Sequence, residues 1–169
     1  MTQDELGAQL EQQIPALRRY AFALARDHRA ADDLVQDCLE KALSRWYLRR
    51  PDGDLRAWLF TILRNLYINA YRANRRRGAH VSIDHVPARA TPPAQETGLE
   101  VRDVLAALDQ LPEEQKSLLL LIGVEDFSYD QAASMLGLPI GTVMSRLSRA
   151  RQRLRTIIES GRLTLRRVK

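Results

Sequence analysis

Residues Phe127–Arg155, FSYDQAASMLGLPIGTVMSRLSRARQRLR, read as two helices around a tight turn. Ser128 is placed to cap the first helix, and Gln131 three residues on completes the spacing of a capping box. Ala132, Ala133 and Leu136 give that short helix an apolar side. Gly137 suits the left-handed residue that ends a helix, and Pro139 stops the chain from simply continuing it. In the second helix Val143, Leu147, Ala150 and Leu154 recur at i, i+4, i+7 and i+11, the spacing of a buried stripe. At about 100° per residue, Ser145, Arg149 and Gln152 point the opposite way, flanked by Thr142 and Arg146. A helix that buries Val and Leu beneath an outer face of Ser, Thr, Gln and Arg fits a DNA major groove, and the pair reads as a DNA-binding helix-turn-helix.

The charge of the whole chain agrees with that reading. Its 169 residues allow one ordinary domain or two small ones, and its 45% hydrophobic content supports a packed core. The net charge is +5, with a pI near 9.8, which favours a polyanionic partner. That charge is clustered. Residues 64–77 hold five arginines and no acid, and residues 140–169 hold nine Lys or Arg against Glu159 alone. With +13 between those two segments, the remainder of the chain is net acidic.

Chemistry of other kinds has little to stand on. Cys38 is the only cysteine, and it lies on an apolar stripe, so it reads as a core thiol rather than a redox sensor. His28, His80 and His85 are scattered, and no metal or cofactor is expected. Asp32, Asp33 and Asp37 lack the glycine-bearing loop of a calcium site. No Ser-His-Asp ordering and no phosphate-cradling glycine loop is present, which argues against an enzyme. The polar, acidic start MTQDELGAQLEQQ has no secretory character, and the longest strongly apolar run, Leu118–Val124, is too short to span a bilayer. A cytoplasmic protein without membrane insertion is expected.

Residues 78–98, GAHVSIDHVPARATPPAQETG, divide the chain: three prolines among small and polar residues read as a flexible linker. Val81–Val86 is too short and isolated to build a sheet. An all-α fold of two small helical domains is therefore expected, at 1–77 and 99–169. In the first, a helix over Glu5–Arg26 is expected to break or kink near Pro15 and to bury Leu17, Tyr20, Ala21, Leu24 and Ala25. A second helix over Ala30–Tyr47 places Ala31, Leu34, Val35, Cys38, Leu39, Ala42, Leu43 and Trp46 on one side and Asp32, Asp33, Gln36, Asp37 and Glu40 on the other. A third, Asp54–Arg75, has Leu55, Trp58, Leu59, Ile62, Leu63 and Leu66 as its core stripe. Beside that stripe Asn65, Asn69, Arg72 and Arg76 fall within about 60° of one another. About four helices are expected in the second domain: one over Glu100–Asp109, one with Pro112 in its first turn and Glu113 and Glu114 at its positive end, then the helix-turn-helix.

Four blocks carry a family resemblance: AADDLVQDCLEKAL at 30–43, DLRAWLFTILRNLYINAYRANRRR at 54–77, LPEEQKSLLLLIGVEDFSYDQAASMLGL at 111–138, and PIGTVMSRLSRARQRL at 139–154. In this order, around a proline-bearing linker, they resemble the extracytoplasmic-function (ECF) sigma factors, the small two-domain class of bacterial sigma-70-type initiation subunits. The resemblance covers nearly all of residues 10–157, with no counterpart of the middle domain of larger sigma factors. It implies that the chain binds core RNA polymerase at its clamp helices and flap, recognises −10 and −35 promoter elements, and promotes melting.

The resemblance also implies residue roles. Asp33, Leu34, Gln36, Asp37 and Glu40 match positions that dock on the clamp helices, and an acidic face beside leucine suits a basic partner. Asn65 matches the position that helps hold an extruded −10 base, with Asn69 one turn on; an amide both donates to and accepts from a base edge. Arg72, Arg75, Arg76 and Arg77 are matched to phosphates. Tyr67 and Tyr71 have two readings, stacking on bases or packing against the protein. Trp58 is assigned to the core. Thr142, Ser145, Arg146, Ser148 and Arg149 match positions that contact −35 DNA. Arg149 is the first choice for reading guanine, and Arg146, Arg151 and Arg153 for phosphate. Met144 departs from the pattern: relatives usually carry Lys or Arg there, so the family's usual −35 sequence is not implied. The resemblance further implies capture by a helical anti-sigma protein. A stand-alone helix-turn-helix regulator with a sensor lobe is the competing reading, and the five arginines at 64–77 argue against it.

Overall fold

In the computed structural model, the backbone is described for residues 2–78 and 96–167, and side chains for residues 2–78 and 100–161. The fold is all-α: seven α-helices and one short 3-10 turn, with no strand among the described residues. It divides into two compact units, residues 1–88 and 89–169. His80, His85, Val81–Val86 and the three linker prolines lie outside the described residues.

The first unit is a three-helix bundle. Helix α1, Gln3–Ala25, opens on a complete capping box: Thr2 Oγ1 accepts from the Glu5 N–H and the Thr2 N–H donates to Glu5. Of the break or kink expected near Pro15, the break does not occur: α1 runs through Pro15 uninterrupted. Pro15 is exposed, so the carbonyl it leaves without a partner, at Glu11, is within reach of water. The helix ends at Arg26, which adopts the left-handed conformation and carries its guanidinium over the Phe22 ring. Asp27 then caps α2, His28–Ser44, through the Ala30 N–H at 2.9 Å. A 3-10 turn at Trp46–Leu48 follows, and Asp54 caps α3, Leu55–Arg76.

Each of these three helices packs against the other two. Leu17, Tyr20, Leu24, Val35, Cys38, Ala42, Leu59, Phe60 and Leu63 fill the centre, with the Tyr20 and Phe60 rings 5.2 Å apart. Two expectations from periodicity are corrected. Leu43 belongs to the apolar stripe of α2 yet is 52% exposed, in the last turn of the helix, one residue before its end. The core side of α3 includes Phe60 and Ile68, which lie off the Leu55–Leu66 stripe, whereas Leu55, Trp58, Ile62 and Leu66 are only half-buried. Trp58 meets Trp46 edge-on, with the rings 6.0 Å apart. Cys38 is a core thiol. Burial pushes its pKa up to about 12, against a weaker opposing hydrogen bond from the Leu63 backbone, and its Sγ donates to the Leu59 carbonyl at 3.4 Å.

The second unit has four helices: α4 Glu96–Asp109, α5 Glu113–Gly123, α6 Tyr129–Leu136 and α7 Ile140–Arg167. Helix α4 starts four residues before the expected Glu100, within the stretch read as linker. Pro112 sits one place outside its expected first-turn position, as the cap residue of α5. Leu118, Ala132, Val143 and Leu147 form the core, with Leu119, Ile122, Tyr129, Leu136 and Leu138 packed around it. Of the Leu118–Val124 run, Val124 faces solvent. Lys116 is buried, and its ammonium is held by Asp109 at 3.1 Å and Glu113 at 3.8 Å, so it ties α5 back to the end of α4. A buried cation needs such partners to offset its desolvation. No helix among the described residues is long and apolar enough to cross a membrane.

Candidate nucleic-acid interface

The helix-turn-helix is built by the local signals its sequence carries. Ser128 accepts from the Gln131 N–H at 3.0 Å, and the Gln131 side chain accepts from the Ser128 N–H at 2.9 Å. Gly137 takes the left-handed conformation, φ +64°. The Leu138 N–H then reaches back to the Ala133 carbonyl at 3.0 Å and the Gly137 N–H to that of Ser134 at 3.4 Å, the paired bonds of a Schellman ending. A side chain at 137 would be strained there. Pro139 supplies the carbonyl that receives the Thr142 and Val143 N–H groups as α7 begins.

Along α7, Val143, Leu147 and Ala150 are fully buried and Leu154 half-buried, which sets the outward face. Ser145, Arg146, Ser148, Arg149, Arg151 and Arg153 are exposed on it, and Thr142 is half-buried at its edge. Arg149 is not loose. Its Nη2 donates to Ser145 Oγ at 3.3 Å, and Ser145 donates to the Thr142 carbonyl at 3.3 Å, so the guanidinium lies along the helix toward its N-terminus. Arg151 reaches the Tyr129 hydroxyl of α6 at 3.5 Å. Tyr129 is a residue the sequence pattern missed as part of this face; its position beside the capping Ser128 drew attention to the backbone, not to the ring.

On the first unit, Asn65, Asn69, Arg72 and Arg76 form an exposed stripe along the C-terminal half of α3, with Arg75 exposed to one side of it and Arg77 exposed as the residue that caps the helix. Arg75 and Arg76 occupy the last turn, where cations complement the helix dipole. The two readings of Tyr67 are decided here: its hydroxyl donates to the Leu24 carbonyl of α1 at 3.0 Å, so it is a packing residue. Tyr71 stacks on Tyr67, rings 6.5 Å apart, with its outer side open to solvent. On α2, Asp33, Gln36, Asp37 and Glu40 are exposed and Leu34 half-buried beside them. Gln36 donates to Glu40, while Asp32 is turned to Arg18 of α1 at 2.9 Å.

Comparison with known proteins decides the family. Residues 10–64 match the family described as the sigma2 domain of PhyR, and residues 102–154 match sigma-70 region 4. Over 155 residues the chain is 39% identical to the ECF RNA polymerase sigma factor EcfG of Rhodopseudomonas palustris, covering 92% of this chain and 86% of that one. The chain belongs to the ECF sigma factors. These are transcription factors, and the chain is not an enzyme. The ECF fold recurs in solved structures. The sigma factor RpoE of Bartonella quintana, crystallised with the anti-sigma factor NepR, is similar with a TM-score of 0.77 and 38% identity, covering 92% of this chain and 97% of that one. CnrH, solved with the cytosolic domain of CnrY, is similar at 0.72 and 25% identity, covering 94% and 90%. This ECF chain thus has a helix-turn-helix unit of the region 4 type and a helical unit of the sigma2 type, each with an exposed face rich in arginine.

Proposed function

We propose that the chain binds core RNA polymerase in the cytoplasm and directs it to promoters, reading the −35 element as duplex with α7 and the −10 element as single-stranded DNA with α3. The observation that carries this reading is the exposed Asn65–Arg77 stripe on a unit separate from the helix-turn-helix. A regulator that binds only duplex DNA has no use for a second face of this chemistry. In the proposed roles, Asn65 and Asn69 hold an extruded base, and Arg72, Arg75, Arg76 and Arg77 hold the strand's phosphates. Thr142, Ser145, Ser148 and Arg149 meet −35 base edges, while Arg146, Arg151 and Arg153 meet phosphates. The α2 face of Asp33, Leu34, Gln36, Asp37 and Glu40 docks on the polymerase clamp helices, and the second unit on the flap.

The test is run-off transcription by core polymerase, with and without the chain, on a promoter library. Specific transcripts that depend on the chain are expected, together with weak binding of duplex DNA by the chain alone. Tight palindromic binding as a dimer, with no stimulation of polymerase, would favour the stand-alone regulator. The similar structure of RpoE holds the anti-sigma factor NepR, and that of CnrH holds the cytosolic domain of CnrY. For this chain we infer a helical anti-sigma that covers surfaces on both units and excludes polymerase. Its addition should abolish core binding in a competition experiment.

A further inference from the structure

The start of α7 has a flank that the roles above leave unused. Ile140 and Met144, one turn apart on the same side, are 42% and 50% exposed. Every other exposed side chain between 140 and 153 is polar or cationic. Single exposed apolar residues are ordinary on protein surfaces. These two stand together in the opening turns of a recognition helix, and they head an ordered flank. Below Met144, a groove of about 510 Å³ runs down the same side between α6 and α7, lined by Ser148, Gln152, Arg151, Arg155 and Tyr129. From the N-terminus onward the flank therefore reads apolar at Ile140 and Met144, then hydroxyl at Ser148, then cationic at Arg151 and Arg155 with the Gln152 amide between them. Arg151 is seven residues beyond Met144, about 10 Å along the axis.

That order matches how a recognition helix meets duplex DNA, with its N-terminal residues at base edges. Phosphates then fall to the cationic end of the flank. A thioether at Met144 has no hydrogen to donate to guanine N7 or O6. The one apolar feature that a base presents in the major groove is the C5-methyl of thymine. We propose that Met144, flanked by Ile140, is a specificity-determining residue that packs on the methyl group of a thymine in the −35 duplex. The inference rests on the reading of α7 as the −35 reader.

The test uses the full chain with core polymerase, on a promoter selected from a randomised −35 library. Each −35 thymine, on either strand, is replaced singly by deoxyuridine, which removes only the methyl. One replacement should lower the initiation rate about fourfold, the scale of one buried methyl group. Met144→Ala should show the same loss on the unmodified promoter and no further response to that deoxyuridine, and Met144→Leu should retain the response. Because Met144 is exposed, neither variant disturbs the core, and unchanged thermal unfolding would verify this. The inference is overturned if no deoxyuridine matters, if Met144→Ala still senses the methyl, or if the selected −35 element lacks thymine. In each of those cases transcription still depends on the chain, so the sigma reading stands. No stimulation of core polymerase on any promoter overturns both.

Discussion

Helices α3 and α7 are both long, both bury a stripe of Leu and Val or Ile, and both expose arginines, yet they arrange these parts differently. In α3 burial is concentrated in the N-terminal half and ends at Ile68, so the arginines gather at the C-terminus, beyond the packed part. In α7 burial begins at Val143, and the outward side chains lie directly over the buried ones. Arg75 and Arg76 are placed where the carbonyl end of a helix favours cations, and they stabilise α3 whatever they bind. Arg149, in mid-helix, gains nothing from the dipole and is held instead by Ser145. An arginine at a helix end is thus weak evidence of function by itself, and one in mid-helix with a positioned guanidinium is stronger.

Leu147→Ala should have the largest effect. It removes the side chain directly beneath the α7 face and should cost about 2–5 kcal/mol of the second unit's stability. Thermal unfolding should show that unit melting early with the α1–α3 unit unchanged; joint melting would break the comparison, because it would mean that the two faces do not rest on separate cores. Asn65→Ala should reduce promoter opening by about 1–3 kcal/mol in the barrier, the cost of leaving a base edge unpaired, with core binding intact. Permanganate reactivity of the −10 thymines measures the first, and fluorescence anisotropy with labelled polymerase the second. Equal loss of both would place Asn65 in the fold instead.

Arg149→Ala and Arg153→Ala sharpen the contrast within α7. The first should relax discrimination at one −35 position by about 1–3 kcal/mol. The second should weaken all promoters alike and lower the salt dependence by about one phosphate. Competition binding across single-base variants separates the two patterns. Smallest is the dipole effect: Arg76→Ala should lower the stability of the first unit by about 0.3–1 kcal/mol at low ionic strength, and added salt should erase the difference. A change that survives high salt would point to a packing role.

Much of what depends on neighbours in the chain could be read from the sequence, though helix ends such as the start of α4 and the place of Pro112 were off by one to four residues. The capping box at Ser128, the left-handed Gly137, the 3.6-residue stripes of α2 and α7, and the clustering of arginine at 64–77 and 140–169 are set by local sterics, hydrogen bonds and charge. They were enough for the all-α fold, the helix-turn-helix and the faces of α3 and α7. What needed tertiary structure were the questions that a helical period leaves open, since a period assigns a face but not what covers it. Leu43 lies on the right face yet is half exposed, and Phe60 and Ile68 lie off the stripe yet are buried. Tyr67 was open between DNA and protein until the Leu24 carbonyl, 43 residues away, took its hydroxyl. Lys116 gave no sign in the sequence of being buried: Glu113 is within reach one turn away on α5, but Asp109 comes within reach of the ammonium only when α5 folds back against α4. Contacts between different helices, such as those of Tyr67 and Asp109, are decided only by packing.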